Sequence, residues 1–125
     1  MGEAWSLSRV TFNLGKTLLA VGEEQAALRM LLRSLQVAHA AQILPDVLNV
    51  MVTLAGGATS TTPINGRYRW AALVAQHPAS PAEARSQAEE LCRSLATSLA
   101  PSFLQTLRDP HQASTLDDIV MALLA

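Results

Sequence analysis

The sequence predicts an all-α protein in which antiparallel helical hairpins stack as an array of about seven helices. Three observations carry that prediction. Half of the 125 residues are hydrophobic but only 4% are aromatic, so the core must be aliphatic, and its abundant alanine and leucine favour helix over strand. Apolar residues recur at helical spacing through much of the chain. Helix stops and starts then punctuate it so closely that mostly short turns remain between segments. A chain of this length accommodates one domain with a real core.

The first hairpin covers residues 4–41. From Ala4 to Val21, the residues Trp5, Leu7, Val10, Leu14, Leu18 and Val21 recur at spacings of two to four, and Gly22 ends the helix. The second helix runs from about Glu23 to Ala41, with Glu23 and Glu24 in its first turn. It is apolar around much of its circumference, so it should be covered on more than one side.

The second hairpin covers residues 46–76. Pro45-Asp46 starts a helix through Val47, Leu48, Val50, Met51 and Leu54 that ends before Gly56-Gly57. Residues 56–66, rich in Gly, Ser and Thr, read as a loop. A fourth helix follows from Asn65 or Gly66 to Gln76, and His77-Pro78 closes it because proline disfavours helix at the residue before it.

Capping helices fill residues 81–125. Ser80-Pro81-Ala82-Glu83 places a hydroxyl at the N-cap, a proline at the first helical position and a glutamate where it can reach back. The fifth helix spans about Pro81 to Leu99, and Pro101 opens a short sixth with Phe103, Leu104 and Leu107. Ser114-Thr115-Leu116-Asp117-Asp118 then starts a seventh over Leu116 to Leu124, with carboxylates at its positive end. Short connections make consecutive helices antiparallel neighbours, in either a closed bundle or a stacked array.

The residues point away from chemistry. Net charge is −1, and the basic residues are scattered at Arg9, Lys16, Arg29, Arg33, Arg67, Arg69, Arg85, Arg93 and Arg108, so direct nucleic-acid binding by this segment is not expected. The lone Cys92, beside Leu91 and Leu95, reads as a buried inert thiol. His39, His77 and His111 stand too far apart in sequence for a zinc site, and His39 suits a helix C-terminus. A serine–histidine–acid set drawn from Ser60, His77 and Asp46 lacks a strained turn at the nucleophile. Glu83, Glu89 and Glu90 read as a solvated face with Arg85–Glu89 and Glu89–Arg93 pairs. Arg67-Tyr68-Arg69-Trp70 interleaves bases with aromatics and reads as a helix start with two core aromatics and two exposed arginines. No enzyme activity, cofactor or metal is expected. MGEAWSLSR is no secretory signal, and no apolar run approaches a membrane span, so a cytoplasmic setting is the expectation.

Leu14-Gly15, Leu18, Ala27 and Leu31 fall where a tetratricopeptide unit has its leucine-glycine, bulky, small and apolar positions. Gly15 and Ala27 would let two antiparallel backbones approach closely. The segment from Trp70 through His77-Pro78-Ala79-Ser80-Pro81 to Ser114–Leu124 resembles the C-terminal end of tetratricopeptide sensor arrays. Such arrays belong to large bacterial signalling regulators, both signal-transduction ATPases with numerous domains and LuxR-type or antibiotic-regulatory transcription activators. The likeness runs from Thr11 onward and is weakest between residues 58 and 66. It implies a tetratricopeptide-like array whose last helix seals the final hairpin. It also implies a non-catalytic sensor or protein-interaction module within a larger protein.

By the same resemblance, Arg9, Phe12, Asn13, Lys16 and Leu19 line the inner groove. Phe12 beside Asn13 and Lys16 suits an extended peptide or an acidic end group. A plainer reading packs Phe12 and Leu19 on the third helix. Two other functions compete: self-association into a homodimer through exposed apolar flanks, and a small-ligand pocket between hairpins.

Overall fold

The computed structural model describes residues 2–58, 63–107 and 115–125. Among these residues there are seven α-helices and no strand. They are α1 (Gly2–Ala20), α2 (Glu24–Ala40), α3 (Leu44–Thr53), α4 (Ile64–Gln76), α5 (Ala82–Ala96), α6 (Pro101–Leu107) and α7 (Leu116–Leu124). One π-helical turn, Leu54–Ala58, extends α3. The architecture is the predicted all-α array of helical hairpins, with boundaries close to those read from the punctuation. Ser60, Arg108, His111 and Ser114 lie outside the described residues.

The turns show how the residues end their helices. After α1, Gly22 takes φ 85°, and the Glu23 amide returns to the Leu18 carbonyl at 2.9 Å. The end of α2 uses the same device without glycine. Gln42 sits at φ 57°, the Ile43 amide reaches the Ala38 carbonyl at 2.9 Å, and the Gln42 side chain donates to the His39 carbonyl at 2.8 Å. Past α4, His77 is extended before Pro78, as expected.

The core runs from Leu31, Leu35 and Ala38 of α2 through α3 to Val74 of α4, Ala84 and Ala88 of α5 and Val120 of α7. Helix α3 is central, with Val47, Leu48, Val50, Met51 and Val52 all buried. It touches α1, α2, α4 and α5.

Several expectations change. The apolar stripe of α1 marks a helix but is not its inward face: Leu7, Val10, Leu14 and Val21 are exposed, and Ser8, Thr11 and Gly15 are buried instead. The reason is close approach. A Cβ built on Gly15 would stand 2.8 Å from Leu31 Cδ2, so only small residues fit this seam. In the second hairpin, α4 starts at Ile64, and it packs more extensively on α5 than on α3.

Ser80 does not cap α5. Its hydroxyl donates to the Val74 carbonyl at 2.6 Å, tying the turn to the end of α4, and Pro81 occupies the cap position. That helix ends at Ala96, short of Leu99. At α7 the cap is Thr115, whose hydroxyl accepts from the Asp118 amide at 3.1 Å while Asp118 accepts from the Thr115 amide at 3.3 Å. This helix does not seal the last hairpin. It lies against α2, where His39 Nε2 stands 3.0 Å from Asp117 Oδ1, so the chain end returns to the first hairpin.

Candidate groove on the α1–α3–α5 face

Helical geometry places Trp5, Arg9, Phe12, Lys16 and Leu19 on one ridge of α1, because residues three and four apart share a face. Along it, cations alternate with rings. The Arg9 guanidinium carbon lies 4.8 Å from the Trp5 ring centroid, and Lys16 Nζ lies 5.3 Å from the Phe12 centroid.

This ridge borders a cleft of about 440 Å³ between α1, α3 and α5. Its lining includes Phe12, Lys16, Leu19, Asn49, Val52 and Gln87. A smaller, more enclosed polar pocket of about 80 Å³ shares Phe12 and Asn49 with it and adds Arg9, Asn13, Ser8, Ser34 and Asp46. All five residues singled out on α1 border these two neighbouring concavities: Arg9 and Asn13 the smaller, Lys16 and Leu19 the larger, and Phe12 both. Phe12 and Leu19 also pack partly against the core, so the plainer packing reading describes their inner edges.

The floor of the small pocket is a buried polar junction of three helices. The Ser34 hydroxyl donates to the Ser8 carbonyl at 2.8 Å, and the Ser8 hydroxyl donates to Asp46 Oδ2 at 3.2 Å. Arg9 adds an ion pair to Asp46 Oδ1 at 3.8 Å. Asp46 is nearly buried in the first turn of α3, where the helix dipole favours its charge. Sequence reading missed Asp46, Asn49 and Gln87 as groove residues. The available signal was an acid and an amide inside otherwise apolar α3; Gln87 offered none.

Other candidates are committed elsewhere. His77 Nδ1 accepts from the Ala79 amide at 3.0 Å, and Asp46 Oδ2 accepts from the Ser8 hydroxyl at 3.2 Å. Arg85 donates to the His77 carbonyl at 3.0 Å instead of pairing with Glu89. Arg67 donates to the Ala55 carbonyl at 2.9 Å, and Arg69 lies over Phe103, so neither arginine is the exposed residue expected. Tyr68 meets the same Phe103 edge-on at 6.4 Å. Cys92 is half-buried. Burial pushes its thiol above the ordinary value, and the nearby Glu89 carboxylate adds to the rise. Among the described residues, no three His, Cys, Asp or Glu side chains converge on a metal position. No described helix is long and apolar enough to cross a membrane.

A third concavity, of about 670 Å³ and mainly apolar, lies at one end of the array between Gly2, Trp5, Ile43, Leu44, Pro45 and Ala79. No protein-family model, curated protein or solved structure matches the chain.

Proposed function

We propose that the chain is a non-catalytic, protein-interaction or sensor module that binds an extended segment of a partner protein along the α1–α3–α5 groove. The observation that carries this reading is the ridge of Arg9, Phe12, Lys16 and Leu19 bordering two neighbouring concavities that share Phe12 and Asn49. Rings offer flat apolar contact area, cations offer charge, and Asn13, Asn49 and Gln87 offer amides that can hydrogen-bond a peptide backbone. Rigid helices hold all of these in place, which lowers the ordering cost of binding.

The wider setting rests on the resemblance of residues 70–124: a tetratricopeptide-like sensor in a cytoplasmic bacterial signalling or transcription regulator, coupled to an ATPase and an effector domain. A displayed library of random peptides tests the groove itself. Peptides selected on the native chain should lose at least about tenfold in affinity, or ~1.4 kcal/mol, against Phe12→Ala/Lys16→Ala. Unchanged binding, with helicity intact by circular dichroism, rejects the groove.

A small-molecule sensor is the second reading, favoured by the apolar hollow beside Trp5. Native mass spectrometry of protein purified from cells would reveal a retained ligand, and Trp5→Ala should release it.

A further inference from the structure

The side of α1 turned away from the groove carries a separate feature. Leu7, Val10, Leu14 and Val21 are 39, 63, 45 and 66% exposed, and Leu18 is half-buried among them. At 100° per residue Leu7, Val10, Leu14 and Leu18 fall within one narrow stripe opposite Arg9 and Lys16, and Val21, one residue past α1 with its amide on the Thr17 carbonyl at 3.2 Å, continues it. Arg9 and Lys16 are the charged residues between positions 7 and 21, and each lies over a ring on the groove side. The stripe is therefore uncharged along its length, with Glu3 and Glu23 beyond its ends. A continuous apolar face of this kind marks a contact surface.

Its spacing is symmetric. Relative to Leu14, the other four residues stand seven and four positions before it and four and seven positions after it. We propose that this stripe pairs with the same stripe of a second copy, antiparallel, about a two-fold axis passing at Leu14. In that arrangement Leu14 meets Leu14 of the second copy, Val10 meets Leu18, and Leu7 meets Val21. An isologous contact needs a self-complementary patch, and a palindromic apolar stripe without charge provides one at no like-charge cost.

The area is adequate for a weak dimer. The 19 residues of α1 span about 28 Å, and a strip on the order of 20 Å wide hides roughly 1,000 Å² across both copies. That is the lower limit for a specific interface, the size of a weak and transient contact. The groove lies on the opposite side of α1, so both copies would keep theirs open.

Sedimentation velocity on the full chain from about 5 to 500 μM tests this, alongside Leu14→Glu and Leu14→Lys, which alter an exposed position. The native chain should dimerise with concentration, and either variant alone should weaken association at least tenfold. An equimolar mixture of the two should restore it. In a Cys92→Ser background, a short bismaleimide should link Leu14→Cys to itself and Val10→Cys to Leu18→Cys. A monomer at 500 μM overturns the proposal. So does a dimer indifferent to Leu14→Glu, or linkage of Val10→Cys to itself in place of Leu18→Cys.

Discussion

Gly15 faces Leu31 across the α1–α2 seam with no room for a methyl group: a Cβ on Gly15 would stand 2.8 Å from Leu31 Cδ2 and 2.9 Å from Leu31 Cγ. Leu31 is fully buried, so it cannot swing clear. Intrinsic helix propensity would favour Gly15→Ala by about 1 kcal/mol, whereas overpacking costs about 1–3 kcal/mol. We expect a net loss in urea denaturation, and a smaller loss when the change is made in a Leu31→Ala background. Additive effects in the two backgrounds would reject the contact as the cause.

The polar junction beneath the groove should be unequal in its parts. Asp46→Ala removes the carboxylate acceptor of the buried Ser8 hydroxyl, leaving it only the longer contact with Ser34 Oγ at 3.4 Å, and should cost about 1–3 kcal/mol. Arg9→Ala removes a side chain that is 56% exposed and 3.8 Å from its partner, so solvent screening holds its cost below about 1 kcal/mol. Equilibrium denaturation of the two variants checks the order. A larger loss for Arg9 than for Asp46 would show that the ion pair, not the serine network, holds the three helices together.

The capping box of α7 should govern how firmly the chain end docks. Thr115→Ala removes the acceptor for the Asp118 amide and should cost about 0.5–2 kcal/mol. Amide exchange over residues 116–124 should accelerate. Asp117→Asn, which weakens an exposed pair with His39, should do much less. Equal acceleration in both variants would contradict this ranking.

Cys92 should react slowly at neutral pH. Its folded-state pKa lies above the ordinary thiol value, so the nucleophilic thiolate is depleted. The same shift has a stability consequence. A thiol with a raised folded pKa keeps its full contribution below the unfolded value, near about 8.5, and loses it as pH climbs through the folded one. Iodoacetamide labelling against pH should give a later inflection in the folded chain than in urea. Coincident inflections would remove the argument, and Cys92→Ala should flatten the alkaline fall in stability.

Much of the architecture was legible because helix punctuation is local. Gly22, Pro45, Pro78, Pro101 and the Thr115–Asp118 segment act within a turn of their own position, through backbone freedom, a missing amide or a short side-chain bond. The π turn at Leu54–Ala58 was not legible as helix, because Gly56-Gly57 looks like a stop. In the structure Gly57 takes φ 111° and Arg67, twelve residues beyond Ala55, meets the Ala55 carbonyl. Ser80 was misread for a similar reason, since a hydroxyl before proline suits a cap equally well as a bond back to Val74.

The ridge from Arg9 to Leu19 could be proposed from one helix because its residues share a face by periodicity alone. Its opposite wall could not. Asn49, Val52 and Gln87 reach the cleft because α3 and α5 stand beside α1.

By itself, then, the sequence determined that the chain is helical, roughly where each helix begins and ends, and which residues share each helical face. Only the tertiary structure decided which face turns inward. Helical periodicity reports that residues lie together but not what they lie against. In α1 the close approach of Gly15 to Leu31 outweighed hydrophobicity, sending Ser8 and Thr11 inside and leaving Leu14 outside. The return of α7 to α2 was equally out of reach, because Asp117 lies 78 residues from His39 and no local rule spans that distance.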